Sequence, residues 1–262
     1  MKITDIHAHV TTDPAAQVAR ARKAGVDRTV LLSTRIHPEA ATTLEGVRAE
    51  FARLTAVVSG AAASVDEVRR ATAEVIAALE AHPEETVGFI SAPLVLGDTE
   101  LKEWFDGYLR RPDIVGIGEL TPAPNQAAGL EPALAVSADH GGVPVLVHGF
   151  APNTVDDLRT YAALAARHPN VPIIVGALGG LNAMELIDLA VDRPNLYIDL
   201  SSALQVFMVK AAAHAVPEQC LFGSNTPYGD VLAARATVEA AIHDPGVLRR
   251  VLGENFAQLI SN

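Results

Sequence analysis

Cysteine is nearly absent from this chain: its 262 residues include one, Cys220. A lone thiol closes no internal disulfide, so the sequence is compatible with a reducing compartment. Cys220 sits inside the apolar run CLFGSN, where it reads as a small buried hydrophobe rather than a nucleophile. Basic residues are also scarce, 20 Lys and Arg against 31 Asp and Glu, for a net charge of −11. No basic cluster is available to displace counterions from a phosphate backbone, which argues against a nucleic-acid partner and leaves an acidic, solvated surface. No apolar run approaches the roughly 18 residues of a membrane span. The opening MKITDIHAHV lacks the apolar segment of a signal peptide, so the expectation is a cytoplasmic protein with no membrane partner. Aromatic residues make up only 5%, which gives little handle on a ligand's shape.

What the chain has is apolar content, 49% of residues with a mean hydropathy of +0.23, enough for a large buried core. Short β-branched runs alternate with Ala/Leu/Glu/Arg-rich stretches from one end to the other. Eight runs read as strands: 2–10, 27–34, 86–94, 113–121, 143–150, 171–178, 196–202 and 220–225. Helical stretches between them include 14–24, 99–110, 127–140, 154–167, 181–192, 204–214 and 229–243. Gly25 suits a helix C-cap, Asn153 an N-cap, and Ser64 with Glu67 a capping box. Continuous apolar strands separated by helices indicate a parallel sheet, covered on both faces or closed. No glycine-rich dinucleotide fingerprint follows the first strand, so an open doubly wound sheet is the weaker choice. The expectation is an α/β fold, a (β/α)8 (TIM) barrel occupying residues 1–262 as one domain. Residues 35–85 depart from the rhythm by holding two helical stretches, 42–58 and 64–81, after strand two. Such a helical insertion either covers the mouth of the barrel or adds a packing helix outside it.

In a barrel the C-terminal strand ends face the site. Strand one ends in Asp5-Ile6-His7-Ala8-His9, and a period of two places Asp5, His7 and His9 on one face. The two imidazoles form a metal-binding pair, with Asp5 as an outer partner. Glu119, after Gly116-Ile117-Gly118, is a carboxylate at the mouth that suits a ligand, a base or an ion pair. His148 closes the apolar run Val145-Leu146-Val147, where burial without a partner is costly. Arg35 and His37 follow strand two, within reach of a substrate. His82, His140, His168, His214 and His243 fall at helix ends and read as solvent-facing.

These pieces in this order, DIHAHV, GIGEL, VLVHGF, ALGG, NLYIDLSS, LFGSNTP and the closing VLGENFAQLI, resemble the amidohydrolase superfamily. The similar branch is the amidohydrolase-related one that includes ACMS decarboxylase, related decarboxylases and lactone hydrolases. The resemblance implies a divalent metal, commonly zinc, held by His7, His9 and His148, and a small-molecule substrate. Barrels of that branch often pair, so a homodimer is among the expectations. The family usually carries a histidine before the Gly-Gly after strand six and an aspartate in the strand-eight GSD-x-P motif. Here those positions are Ala177 and Asn225.

Three histidines and a water make an adequate catalytic zinc site, but the Asn225 amide takes no proton near neutral pH. Glu119 is then the best remaining carboxylate, as fourth ligand or base, with Asp199 and Asp230 ranked below it; Asp230 also reads as a helix cap. The expected function is metal-dependent hydrolysis or decarboxylation of a small carbonyl or carboxylate compound, with Glu119 and Asn225 at the reacting centre. Metal-free lyase, cyclase or isomerase chemistry and a non-catalytic binding barrel are the alternatives.

Overall fold

The computed structural model describes residues 2–61 and 63–261. Its eight strands are β1 (Thr4–His9), β2 (Arg28–Leu32), β3 (Thr86–Ile90), β4 (Ile114–Leu120), β5 (Val145–Val147), β6 (Ile173–Val175), β7 (Leu196–Asp199) and β8 (Cys220–Leu221). All pair in parallel and in sequence order from β1 to β8. The ring closes just past the short β8, where Ile6 N–H donates to Phe222 O (2.9 Å) and Asn225 N–H to His7 O (2.7 Å). The eight-stranded barrel is thus the fold that the alternating pattern called for. Its later strands are shorter than the apolar runs, because those runs continue past the ladder into buried mouth segments such as Ala177-Leu178 and Phe222. Among the described residues no helix is long and apolar enough to cross a membrane.

Two apolar layers hold the barrel. Its interior is filled by side chains including Ile6, Val30, Phe89, Leu146, Ile174 and Leu221, with Phe256 from the last helix packed against them. The outer layer lies between the strands and the helix ring, where β2 to β8 are apolar on their second face as well. Asn255 ties the last helix in place by donating to Pro217 O (2.9 Å) and Cys220 O (2.8 Å). Cys220 is fully buried, and burial pushes its thiol pKa up, which fits an inert packing residue.

The insertion after β2 divides its labour. After α1 (Pro14–Lys23), closed by Gly25 at φ +70°, come α2 (Leu44–Val58) and α3 (Val65–Ala81). Ser64 and Glu67 form the expected capping box, and Val68, Ala71, Val75 and Ala78 recur at helical spacing on the buried face of α3. α3 is therefore a member of the outer ring. α2 buries none of its residues and lies over the barrel mouth.

The remaining ring helices are α4 (Asp98–Tyr108), α5 (Glu131–Asp139), α6 (Val155–Arg167), α7 (Ala183–Val191), α8 (Val206–Ala215) and α9 (Val231–Ala241). At α6 the cap is Thr154 rather than Asn153. The Thr154 hydroxyl accepts from Asp157 N–H (3.1 Å), while Asn153 turns its amide to His148 O (2.8 Å). Asp230 caps α9, accepting from Leu232 N–H (3.0 Å) and Ala233 N–H (3.2 Å), and also pairs with Arg20. Asp230→Ala is expected to cost about 1 kcal/mol, read as a lower urea midpoint with an unchanged slope.

Candidate metal and active site

The strand ends deliver their polar groups to the mouth of the barrel. β1 carries a bulge between Asp5 and Ala8 against β2, and both of its imidazoles are buried. His7 Nδ1 lies 2.7 Å from Asp199 Oδ2 at the end of β7. The same carboxylate accepts from the Ala177 and Ser201 backbone N–H groups (3.0 Å each) and from the Ser201 hydroxyl. Asp199 accepts a hydrogen bond from the Nδ1 proton of His7 and leaves Nε2 as the outward atom. His9 Nδ1 faces Ser33 O at 3.2 Å, which sets its tautomer in the same sense. Glu119 stands 3.6 Å from His9 Nε2 through one oxygen and 2.9 Å from His148 Nδ1 through the other.

Among the described residues, one set of donors converges as a cation would require. His7, His9 and Glu119 each offer an atom within 4.8 Å of the others. His148, expected as the third nitrogen ligand, instead turns Nδ1 to Glu119 and stands beside the group. Asp5 is not the outer partner of the histidine pair. Its Oδ1 accepts backbone N–H groups from Ser224 (2.9 Å) and His7 (3.2 Å), stitching β8 to β1. Asp199, ranked low from sequence, takes the outer role. The period-two placement at a strand end was the available signal for it.

The electrostatics follow from burial and pairing. Burial alone would lower the His7 pKa, but the Asp199 carboxylate outweighs it and carries the group up to about 9. Burial lowers His9 to about 4, against the pull of Glu119. Burial would raise Glu119, but His148 first, and then His7 and His9, hold it at about 2. Burial raises Asp5 to about 6, against its hydrogen bonds to Ser224 and His7. The site is thus anionic at Glu119 and cationic at His7 near neutral pH.

His7 Nε2 and His148 Nε2 are both buried and meet no hydrogen-bond partner. An orphaned buried polar nitrogen is costly, and a cation shared by His7 Nε2, a neutral His9 and Glu119 would relieve the first of them. The donor set suits a divalent metal.

A cavity of about 920 Å³ opens over these residues and includes His9, Glu119, His148, Arg35, Ala177 and Asn225 in its wall. Asn225 lies at φ +54°, a region that asparagine takes more readily than most residues. Its Nδ2 donates to Ser202 Oγ (2.9 Å), and its buried Oδ1 has no partner. Arg35 forms no ion pair among the described residues. His37 does not line the cavity. Its ring lies 3.2 Å from Glu39 and 3.8 Å from Glu74. Gly223 earns its place by proximity, since a Cβ there would collide with the Asp199 carboxylate.

Comparison with known proteins agrees with this architecture. Three solved structures share the fold. A 2,6-dihydroxybenzoate decarboxylase complexed with 2,6-dihydroxybenzoate is 14% identical at a TM-score of 0.74, over 100% of this chain and 99% of that one. A dihydroxybenzoic acid decarboxylase from Polaromonas sp. JS666, with bound manganese and the inhibitor 2-nitroresorcinol, is 14% identical at 0.65, over 99% and 97%. A 4-oxalomesaconate hydratase from Rhodopseudomonas palustris is 13% identical at 0.64, over 99% and 95%. No curated protein matches the sequence. The family model described as Amidohydrolase matches residues 4–259, almost the whole barrel, and the chain belongs to that family of enzymes.

Proposed function

We infer that the protein is a metal-dependent enzyme that removes a carboxyl group, without oxidation, from a small organic acid. The observation that carries this reading is the convergence of His7, His9 and Glu119 beside a cavity that has no imidazole at position 177 and no carboxylate at 225. Two imidazoles and a carboxylate are a ligand set of catalytic zinc, and zinc is the metal proposed. A divalent cation bound there supplies Lewis acidity to a carboxylate or carbonyl oxygen of the substrate.

The choice of reaction rests on which groups can move a proton. Hydrolysis is helped by a base for water, and Glu119 has its two oxygens directed at His148 and His9, which hold its pKa low. Asn225 takes no proton near neutral pH and Ala177 has none to exchange. Decarboxylation asks for less. As the C–CO2 bond breaks, its electron pair stays on carbon, CO2 leaves, and one proton must reach that carbon. His148 lines the cavity with its Nδ1 held by Glu119 and its Nε2 without a protein partner, which suits it to deliver that proton. Arg35 offers a cation to an anionic substituent, and Asn225 Oδ1 offers an acceptor to a substrate hydroxyl. The raised pKa of His7 favours a second reading, a metal-free enzyme in which cationic His7 donates a hydrogen bond to a developing oxyanion.

Metal content separates the two. Protein purified without chelator is expected to carry about one equivalent of divalent metal, and Glu119→Ala less than about a tenth. His148→Gln is expected to keep its metal while turnover falls about 10²–10⁴-fold; loss of metal from that variant would make His148 a ligand instead. Binding also has a pH signature. Below the His7 pKa of about 9 the metal-free ring holds a proton that the metal must displace, so affinity rises with pH up to that value and levels above it. Calorimetry in buffers of different ionisation enthalpy should therefore find about one proton released at pH 7. The paired change Ala177→His with Asn225→Asp is expected to tighten zinc binding about tenfold or more in a competition titration.

A further inference from the structure

We propose that the cavity takes an amphipathic acid, a carboxylate joined to an apolar body larger than a single ring, with that body held against α2. This rests on reading the cavity as the substrate site. Its volume, about 920 Å³, lies near the top of the roughly 300–1,000 Å³ found for pockets that enclose drug-sized ligands. The polar groups sit at the strand ends, His9, Glu119, His148 and Asn225, with Arg35 as the one cation of the wall among the described residues. Where the family's usual histidine would stand, the Ala177 methyl leaves further room.

Hydroxyl and amide groups such as Thr55 and Gln126 also line the cavity, but most of the remaining wall is apolar and comes from separate connections. Phe51, Leu54 and Val58 belong to α2, Val95 follows β3, and Leu204 follows β7. Phe51, Leu204 and Val95 are 53%, 54% and 60% exposed, yet all three border the same opening. Scattered exposed hydrophobes need no explanation, whereas a contiguous apolar rim marks a binding surface. On α2 the spacing of Phe51, Leu54 and Val58 forms one helical stripe toward the cavity, in a helix that buries nothing in the core. The stripe and the charged strand ends line the same cavity, so the occupant that satisfies both is a molecule with an acid at one end and an apolar body at the other.

A homologous series of n-alkanoates, butanoate to decanoate, titrated by calorimetry tests this. A fully buried methylene strengthens binding about fourfold, so wild type is expected to gain at least about twofold per added methylene, with an increasingly negative heat-capacity change. In Phe51→Gln/Leu54→Gln the gain per methylene is expected to fall below half of that. Equal affinity for butanoate and decanoate in wild type, or an unchanged gain in the double variant, overturns the proposal. If the double variant does not fold, Phe51→Gln alone, at an exposed position, carries the same comparison. Sedimentation of the same samples addresses the other occupant. A wild-type dimer that the substitutions split, with no chain-length gain, would assign the stripe to a second copy of this chain and overturn the proposal. Metal analysis of those samples keeps the two readings apart: metal without a chain-length gain defeats this inference alone, and a gain without metal defeats only the metal reading.

Discussion

One buried carboxylate organises the site. Asp199, fully enclosed at the end of β7, receives His7 from β1, the Ala177 backbone from the turn after β6, and both donors of Ser201. A charge so placed is tolerable only because every direction it faces supplies a donor. Its partners gain in return. His7 is held with Nδ1 on Asp199 and Nε2 facing away from it, and the backbone around Ala177 is pinned although Ala177 and Leu178 both take positive φ. Glu119 mirrors the arrangement across the mouth, its two oxygens reaching His9 and His148. Two carboxylates thus aim three imidazoles, and they divide the labour: one orients from behind while the other faces the cavity.

The barrel could be read from the sequence because its signal is repeated. Eight apolar runs, each followed by a helix-forming stretch, leave few alternatives, and the capping box at Ser64 with the buried stripe of α3 marked one inserted helix as part of the ring. The strand ends proved harder to place, since apolar character does not stop where the ladder stops. The β8 run, expected over 220–225, pairs regularly only at Cys220–Leu221. The fate of α2 was open for a related reason. Helical spacing shows that an apolar stripe exists, but what it faces depends on the loops beside it.

At the mouth, the structure brings together residues that carry a strong local signature, whereas contacts set by distant partners left no mark in the sequence. The H-x-H pair, Glu119 and His148 all announce themselves at strand ends. Asp199 acquires its importance only through a residue 192 positions away. Ser33 contributes through its carbonyl, which no side-chain pattern reveals, and Asn153, which looks like a helix cap, supports the loop of His148. His37 shows the reverse: a suitable side chain in a suitable loop, drawn aside by Glu39 and Glu74 in a strongly acidic chain.

The span between His7 and Asp199 also has a consequence in time. As the chain leaves the ribosome, His7 and His9 emerge among its first residues, while Asp199, which orients His7, comes 192 residues after it, and Asn225, whose N–H closes the ring on His7 O, comes later still. Contacts of such separation bear the full entropy of loop closure and form late. The two histidines therefore spend most of synthesis as ordinary, mobile imidazoles. Their affinity for a cation belongs to the finished ring, so a nascent or truncated chain has little means of sequestering metal.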